Sequence, residues 1–147
     1  VQYTINGIAG QKNISRQPFG TVDNTAGLSV KDLWWAGAAE DGWGISIAQQ
    51  YRTLFAVWYT YCPNGKACWF VMPGGVWNSN TYVGTLYTTT SSSWLGASYN
   101  PAALSVTAVG TLTLTFIDAN NATMNYQFTA GPYAGTNQTK TITRQPF

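Results

Sequence analysis

The chain has 147 residues, 45% of them hydrophobic, and a net charge of +2, which suits one domain with a genuine core and is short for two. Only 8% of the residues are charged, about a third of the ~25% usual in soluble domains. The seven basic residues, Lys12, Arg16, Lys31, Arg52, Lys66, Lys140 and Arg144, form no run, which argues against a nucleic-acid partner, since neutralising phosphates takes clustered positive charge.

No apolar stretch approaches the ~18 residues of a membrane span. The first twenty residues lack the basic start and apolar middle of a signal peptide. The expectation is a mature, exported chain rich in neutral polar and aromatic residues, a composition that suits pleated, half-buried strands.

In chain order, residues 1–19 form an N-terminal strand segment, residues 20–31 a linker, and residues 32–147 the β-domain. Within that domain the predicted strands are Trp43 to Gln50, Leu54 to Tyr61, Cys68 to Met72, Tyr82 to Thr88, Leu104 to Val109, Leu112 to Ile117, Thr123 to Thr129 and Thr139 to Thr143. They are separated by Tyr51-Arg52-Thr53, Pro63-Asn64-Gly65, Pro73-Gly74-Gly75 and Asp118-Ala119-Asn120-Asn121, and no segment keeps a helical period. Leu54 to Tyr61 carries large residues on both alternating faces and is expected to be covered on both sides. The fold class is therefore all-β: an antiparallel meander of about eight strands closing into a small barrel or sandwich, with the barrel preferred because closure removes exposed edges.

Cys62 and Cys68 bracket a turn and are expected to form a disulfide. A five-residue loop places them directly opposite each other, whereas a two-residue Asn64-Gly65 turn places Cys62 opposite Ala67. There is no Cys-x-x-Cys and no histidine, so a redox pair or zinc site is the weaker reading. A structural disulfide implies an oxidising, extracellular compartment.

Gln11 to Phe19 matches Thr139 to Phe147 at six of nine positions, offset by 128 residues. Upstream, Tyr3-Thr4-Ile5 matches Tyr126-Gln127-Phe128 more loosely, so an N-terminal hairpin duplicating the last strands is expected. Such a fragment marks either a piece of a tandem array or a subunit carrying a spare copy of its final strands. In the second case Tyr3, Ile5, Ile14, Arg16 and Phe19 form an assembly strand that adds to a neighbour. Repeated head to tail, this contact does not close and builds a filament.

Asp32-Leu33-Trp34-Trp35, Glu40 to Gly44, Gln49-Gln50, Thr53 to Ala56, Tyr59 to Tyr61, Asn64-Gly65-Lys66 and Trp69 together resemble secreted tandem-repeat domains of Gram-negative bacteria of uncharacterised function. Gly84 to Tyr87, Asn100 to Ala103, Val109 to Leu114 and the Ile142 to Phe147 ending extend the likeness from about Asp32 to the end. The chain departs from the pattern at Cys62 and Cys68 and at the small residues Ala36 to Ala39. The resemblance implies export and repetition, and supplies no reaction or ligand.

No catalytic set is expected. Without histidine a Ser or Cys nucleophile has no base. Only Asp32, Glu40 and Asp41 offer carboxylates that could meet in a glycosidase or other acid–base site, and only with raised pKa values. Asp118 to Asn121 offers too few acids for calcium and reads as a turn, so neither metal nor cofactor is expected. Asn13, Asn121 and Asn137 begin glycosylation sequons that strand polarity explains. Trp58 and Trp69 are expected in the core. Trp34, Trp35, Trp77 and Trp94 are the candidates for a ligand or surface contact, because flat amphipathic rings serve sugars and interfaces alike; Trp34 and Trp35 are neighbours, so one can face inward while the other is exposed. Two functions result: a secreted structural subunit whose partner is itself, or an adhesion module binding glycans or a cell surface. A variant of the second holds a small apolar ligand in the barrel mouth.

Overall fold

The computed structural model describes residues 1–25, 27–93 and 98–145. Two short strands, β1 (Gln2–Ile5) and β2 (Ile8–Gln11), form a sheet of their own. The remaining strands are β3 (Asp32–Trp35), β4 (Gly44–Gln50), β5 (Thr53–Tyr61), β6 (Ala67–Met72), β7 (Val76–Asn78), β8 (Thr81–Thr90), β9 (Ser105–Phe116), β10 (Asn121–Phe128) and β11 (Asn137–Arg144). Each pairs antiparallel with its successor, except that β6 and β7 do not pair. Val71 of β6 instead pairs with Tyr87 of β8, and β11 returns to β3. The result is a closed eight-stranded up-and-down barrel, with β7 as an outer ribbon on β8.

Alternation sets the interior. Leu54, Ala56 and Trp58 on β5, Phe70 and Met72 on β6, Leu112, Leu114 and Phe116 on β9, and Ala122, Met124 and Phe128 on β10 all turn inward and are buried. The barrel is thus filled with side chains, as expected at this strand number. Gly84 permits closure, because a Cβ there would lie 2.6 Å from Met72 and 2.3 Å from the Gly74 carbonyl.

Three expectations need correction. The predicted break between Leu104–Val109 and Leu112–Ile117 is a bulge inside the single strand β9: the register against β8 shifts after Leu86, so Val109 and Gly110 both turn inward. A bulge adds a residue without ending the strand. Residues 20–31 do more than link. Val30 is completely buried, its N–H bonds Gln49 Oε1 at 2.8 Å, and the Ser29 and Lys31 carbonyls accept from Arg144. Finally, the outer face of β5 is covered over only part of its length: Phe55 and Val57 are half-buried, whereas Tyr59 and Tyr61 are exposed.

The disulfide between Cys62 and Cys68 is present, with a Cα separation of 5.7 Å. The cysteines are diagonal rather than directly opposite: Thr60 faces Cys68, Tyr61 faces Ala67, and the Cys62 N–H donates to the Lys66 carbonyl. A turn from Cys62 to Gly65, with Gly65 in the left-handed region at φ 74°, sets this register, as a three-residue hairpin loop ending in a glycine does.

Candidate functional site

Asn6 and Gly7, with φ of 51° and 78°, make the two-residue turn of the N-terminal hairpin; positive φ at both positions is the turn type that matches strand twist. Its ladder runs Tyr3 opposite Gly10, Gln2 opposite Gln11, and Val1 hydrogen-bonded in both directions with Lys12. In the barrel, Tyr126 lies opposite Gln138, Asn125 opposite Thr139, and Met124 opposite Lys140. Every pair of the short hairpin therefore has its counterpart in the β10–β11 pair, in the same register. Ile5 opposite Ile8 corresponds to Phe128, whose N–H donates to the Thr136 carbonyl. The two hairpins differ in their loops, two residues against the seven from Thr129 to Gly135.

The likeness extends to side-chain direction, while the environments are opposite. Met124 and Ile142 are completely buried and Phe128 nearly so, whereas Val1, Ile5 and Ile14 are 63%, 45% and 75% exposed. Tyr126 packs 4.6 Å from the Trp58 ring and 5.9 Å from Phe128. Tyr3, at the same position, lies over Gly10, whose missing Cβ leaves room for the ring. The apolar row of a barrel strand is thus built into a hairpin that no barrel surrounds.

The end of the segment is anchored. The Phe19 and Gly20 N–H groups both donate to Gln50 Oε1, at 3.0 and 3.2 Å, and Gln50 Nε2 donates to the Gln17 carbonyl. The Phe19 ring lies 5.8 Å from Phe55 on the outer face of β5. Arg16 is exposed, while its counterpart Arg144 donates to the Ala119, Lys31 and Ser29 carbonyls and to Asp32, with its guanidinium 5.2 Å from the Trp34 ring. Of the proposed assembly residues, Phe19 is tied to this barrel, and Ile5, Ile14 and Arg16 face outward.

No family model, curated protein or solved structure matches the chain.

The tryptophan candidates separate. Trp34 is 1% exposed and donates to the Val30 carbonyl, so of the two neighbours Trp34 is the one that faces inward and is no surface contact: β3 is a barrel strand, and its alternation leaves Trp35 half-buried. Trp77 is also half-buried. Its N–H donates to the Arg52 carbonyl at 2.6 Å, the Arg52 guanidinium sits 5.5 Å from the ring, and Tyr82 packs at 4.9 Å. Together with Asp23, Thr25, Gly27, Leu28, Tyr51 and Asn80 it lines a cavity of about 440 Å³. Trp94 lies outside the described residues. Trp69, expected in the core, is instead 53% exposed opposite exposed Tyr59. Once Trp58 is placed inside, strand parity alone puts Tyr59 and Tyr61 outside, and that signal was present in the sequence.

The carboxylates do not converge. Asp32, the first residue of β3, pairs with Arg144 at 3.1 Å, and Glu40, in the turn that follows the strand, pairs with Lys140 at 2.8 Å. Lys140, and next the Trp43 N–H at 3.1 Å, hold the Glu40 carboxyl below its ordinary range, opposite to the shift a proton donor needs. Asp118 accepts from the Asn120 and Asn121 backbone N–H groups and from the Asn121 amide, as a turn residue does.

Proposed function

We propose that the chain is a secreted structural repeat module whose N-terminal hairpin completes a neighbouring barrel of the same fold, in the position that β10 and β11 occupy here. The observation carrying this reading is the shared register of the two hairpins, combined with the exposure of Val1, Ile5 and Ile14 where Met124, Phe128 and Ile142 are buried.

The resident hairpin fills its position better: Phe128 is larger than Ile5, and the β10–β11 loop brings Tyr133 to within 5.1 Å of Phe128 and 5.4 Å of Phe70. Larger buried apolar surface favours the resident copy, so the N-terminal hairpin does not displace it. It fits instead a barrel that supplies the strands corresponding to β3–β9 and has that position open, in a preceding repeat or a separate polypeptide. Gln17 to Gly20, clamped by Gln50 and Phe55, then fixes the joint between successive barrels. Such head-to-tail contacts do not close and extend as an array. The Cys62–Cys68 bond is in keeping with an oxidising exterior, and among the described residues no helix is long and apolar enough to cross a membrane.

The test mixes the full chain with a shortened chain of residues 20–120, which ends before β10. A one-to-one complex by light scattering that disappears when the donor lacks residues 1–19 is the expected result. A complex that forms equally well without those residues sinks the proposal.

A second reading, an adhesion module binding glycans or a cell surface, is favoured by the outward aromatic row of Tyr59, Trp69 and Tyr61, which are 52%, 53% and 56% exposed. Exposed aromatic patches of this kind mark interaction surfaces. Glycan-array binding lost in Trp69→Ala and kept without residues 1–19 selects it.

A further inference from the structure

We propose that the clamp formed by Gln50 and Phe55 is a recognition site for the ending Gln145-Pro146-Phe147 of a second copy of this chain, so that each copy carries both halves of the joint between modules. The proposal rests on the array reading above and names the residues that connect one module to the next.

The clamp is filled by the chain's own Gln17-Pro18-Phe19. Gln50 Oε1 accepts from the Phe19 and Gly20 N–H groups at 3.0 and 3.2 Å, and Gln50 Nε2 donates to the Gln17 carbonyl at 3.1 Å. One side-chain amide thus satisfies three main-chain groups on the two sides of a proline. Pro18, the residue spanned, has no N–H that would need a partner, and its fixed φ restricts the bend that brings the three groups to a single amide. The Phe19 ring lies 5.8 Å from Phe55. A Cβ on Gly20 would lie 2.4 Å from the Gln50 carbonyl, so the chain leaves the clamp in close contact with β4. The contact is confined to the end of the segment: Lys12 to Pro18 are exposed, whereas Phe19 and Gly20 are half-buried.

Arg16-Gln17-Pro18-Phe19 recurs without change as Arg144-Gln145-Pro146-Phe147. Each copy lies at the end of a hairpin of the same register. In the barrel, the pairing of β11 with β3 ends where the Gln145 N–H donates to the Leu33 carbonyl at 2.8 Å, and Pro146 has no N–H with which to extend it. Among the described residues the buried core ends at Ile142. What Gln17 to Phe19 does for the barrel that follows the N-terminal hairpin, Gln145 to Phe147 does for a barrel that follows β11. Neither half of the contact carries a charge, so main-chain hydrogen bonds and one aromatic ring make the recognition.

The experiment is proton–nitrogen NMR on residues 20–147, a chain that keeps all eight barrel strands and the whole buried core from Val30 to Ile142 and lacks the segment that fills the clamp. The probe is a synthetic peptide of residues 139–147 ending in an amide, whose N–H stands in for that of Gly20. The Gln50 side-chain signal is identified by its absence in Gln50→Ala. The expected result is a saturable shift of that signal, with binding about tenfold weaker for a peptide carrying Phe147→Ala, the loss of one partly buried ring. Binding to the full chain is expected to be severalfold weaker, because its tethered Gln17 to Gly20 competes for the same clamp.

A Gln50 signal that the peptide does not move overturns the proposal, and so does equal binding of the Phe147→Ala peptide or of the full chain. If residues 20–147 do not fold, the full chain carrying Phe19→Ala, a change outside the core, takes their place with the same outcomes. The peptide contains no hairpin and meets no open barrel, so its failure to bind leaves the hairpin reading intact. Failure of the full chain to join residues 20–120, in turn, leaves the clamp result unaffected.

Discussion

Ile14 and Ile142 occupy the same position of the same nine-residue motif, yet Ile14 is 75% exposed and Ile142 completely buried. The two residues share a local sequence and differ only in what surrounds them. Ile142→Ala is expected to cost about 2–5 kcal/mol, the range for truncating a buried aliphatic side chain. Ile14→Ala is expected to stay within about 0.5 kcal/mol. Urea denaturation of both variants checks this, and similar losses at the two sites contradict the placement of the N-terminal segment.

Arg144 and Arg16 form a second matched pair. Arg144 ties β11 to the Ser29 and Lys31 carbonyls, to the turn at Ala119 and to Asp32. Lysine keeps the charge but cannot reproduce a planar fork of several donors. Arg144→Lys is expected to lower stability by about 2 kcal/mol, while Arg16→Lys leaves the melting temperature unchanged. Differential scanning calorimetry separates the two.

Reduction of the Cys62–Cys68 bond opens a loop with a sequence separation of 6. Closing so short a loop stabilises by about 2 kcal/mol in the chain-entropy model. The double variant Cys62→Ser with Cys68→Ser should unfold at lower urea and still show the same β-sheet circular dichroism. A chain that fails to fold without the bond shows that the clip does more than fix a register.

Two titrations bracket the stable pH range. The Glu40 carboxyl is held below its ordinary value, chiefly by Lys140, so its contribution is present above the unfolded pKa and lost as pH falls below about 4. Tyr82 is completely buried, and burial raises the pKa of its hydroxyl. Its contribution is complete below the unfolded pKa and is lost as pH rises past about 10. Thermal melts of Glu40→Gln should make the acid limb shallower, leaving the share of Asp23 and Asp118, and those of Tyr82→Phe the alkaline limb, leaving the share of Tyr126.

Phe19 anchors the segment through Phe55, and Gln50 anchors it through the Phe19 and Gly20 N–H groups. Gln50→Ala is expected to speed amide exchange at Phe19 and Gly20 severalfold without changing exchange in β9. Exchange at these two amides that does not change places the anchor elsewhere.

The sequence alone determined the all-β class, the near-continuous meander, the turn residues, the disulfide and the duplication, because each rests on neighbours in the chain: alternation, turn chemistry, loop length and a repeated string. It missed β3 and β7, which are four and three residues long, too short for alternation to register. It left open which of Trp34 and Trp35 faces inward and placed Trp69 in the core, because an alternating strand with large residues on both faces does not state which face turns inward. That choice belonged to the tertiary structure. Closure through Val71 and Tyr87 on one seam, and Thr143 and Arg144 on the other, fixed one inside for all eight strands at once. The burial of the Trp58 N–H without an acceptor belonged to the tertiary structure as well, since the rings that enclose it include Tyr126 and Phe128, on a strand distant in the chain.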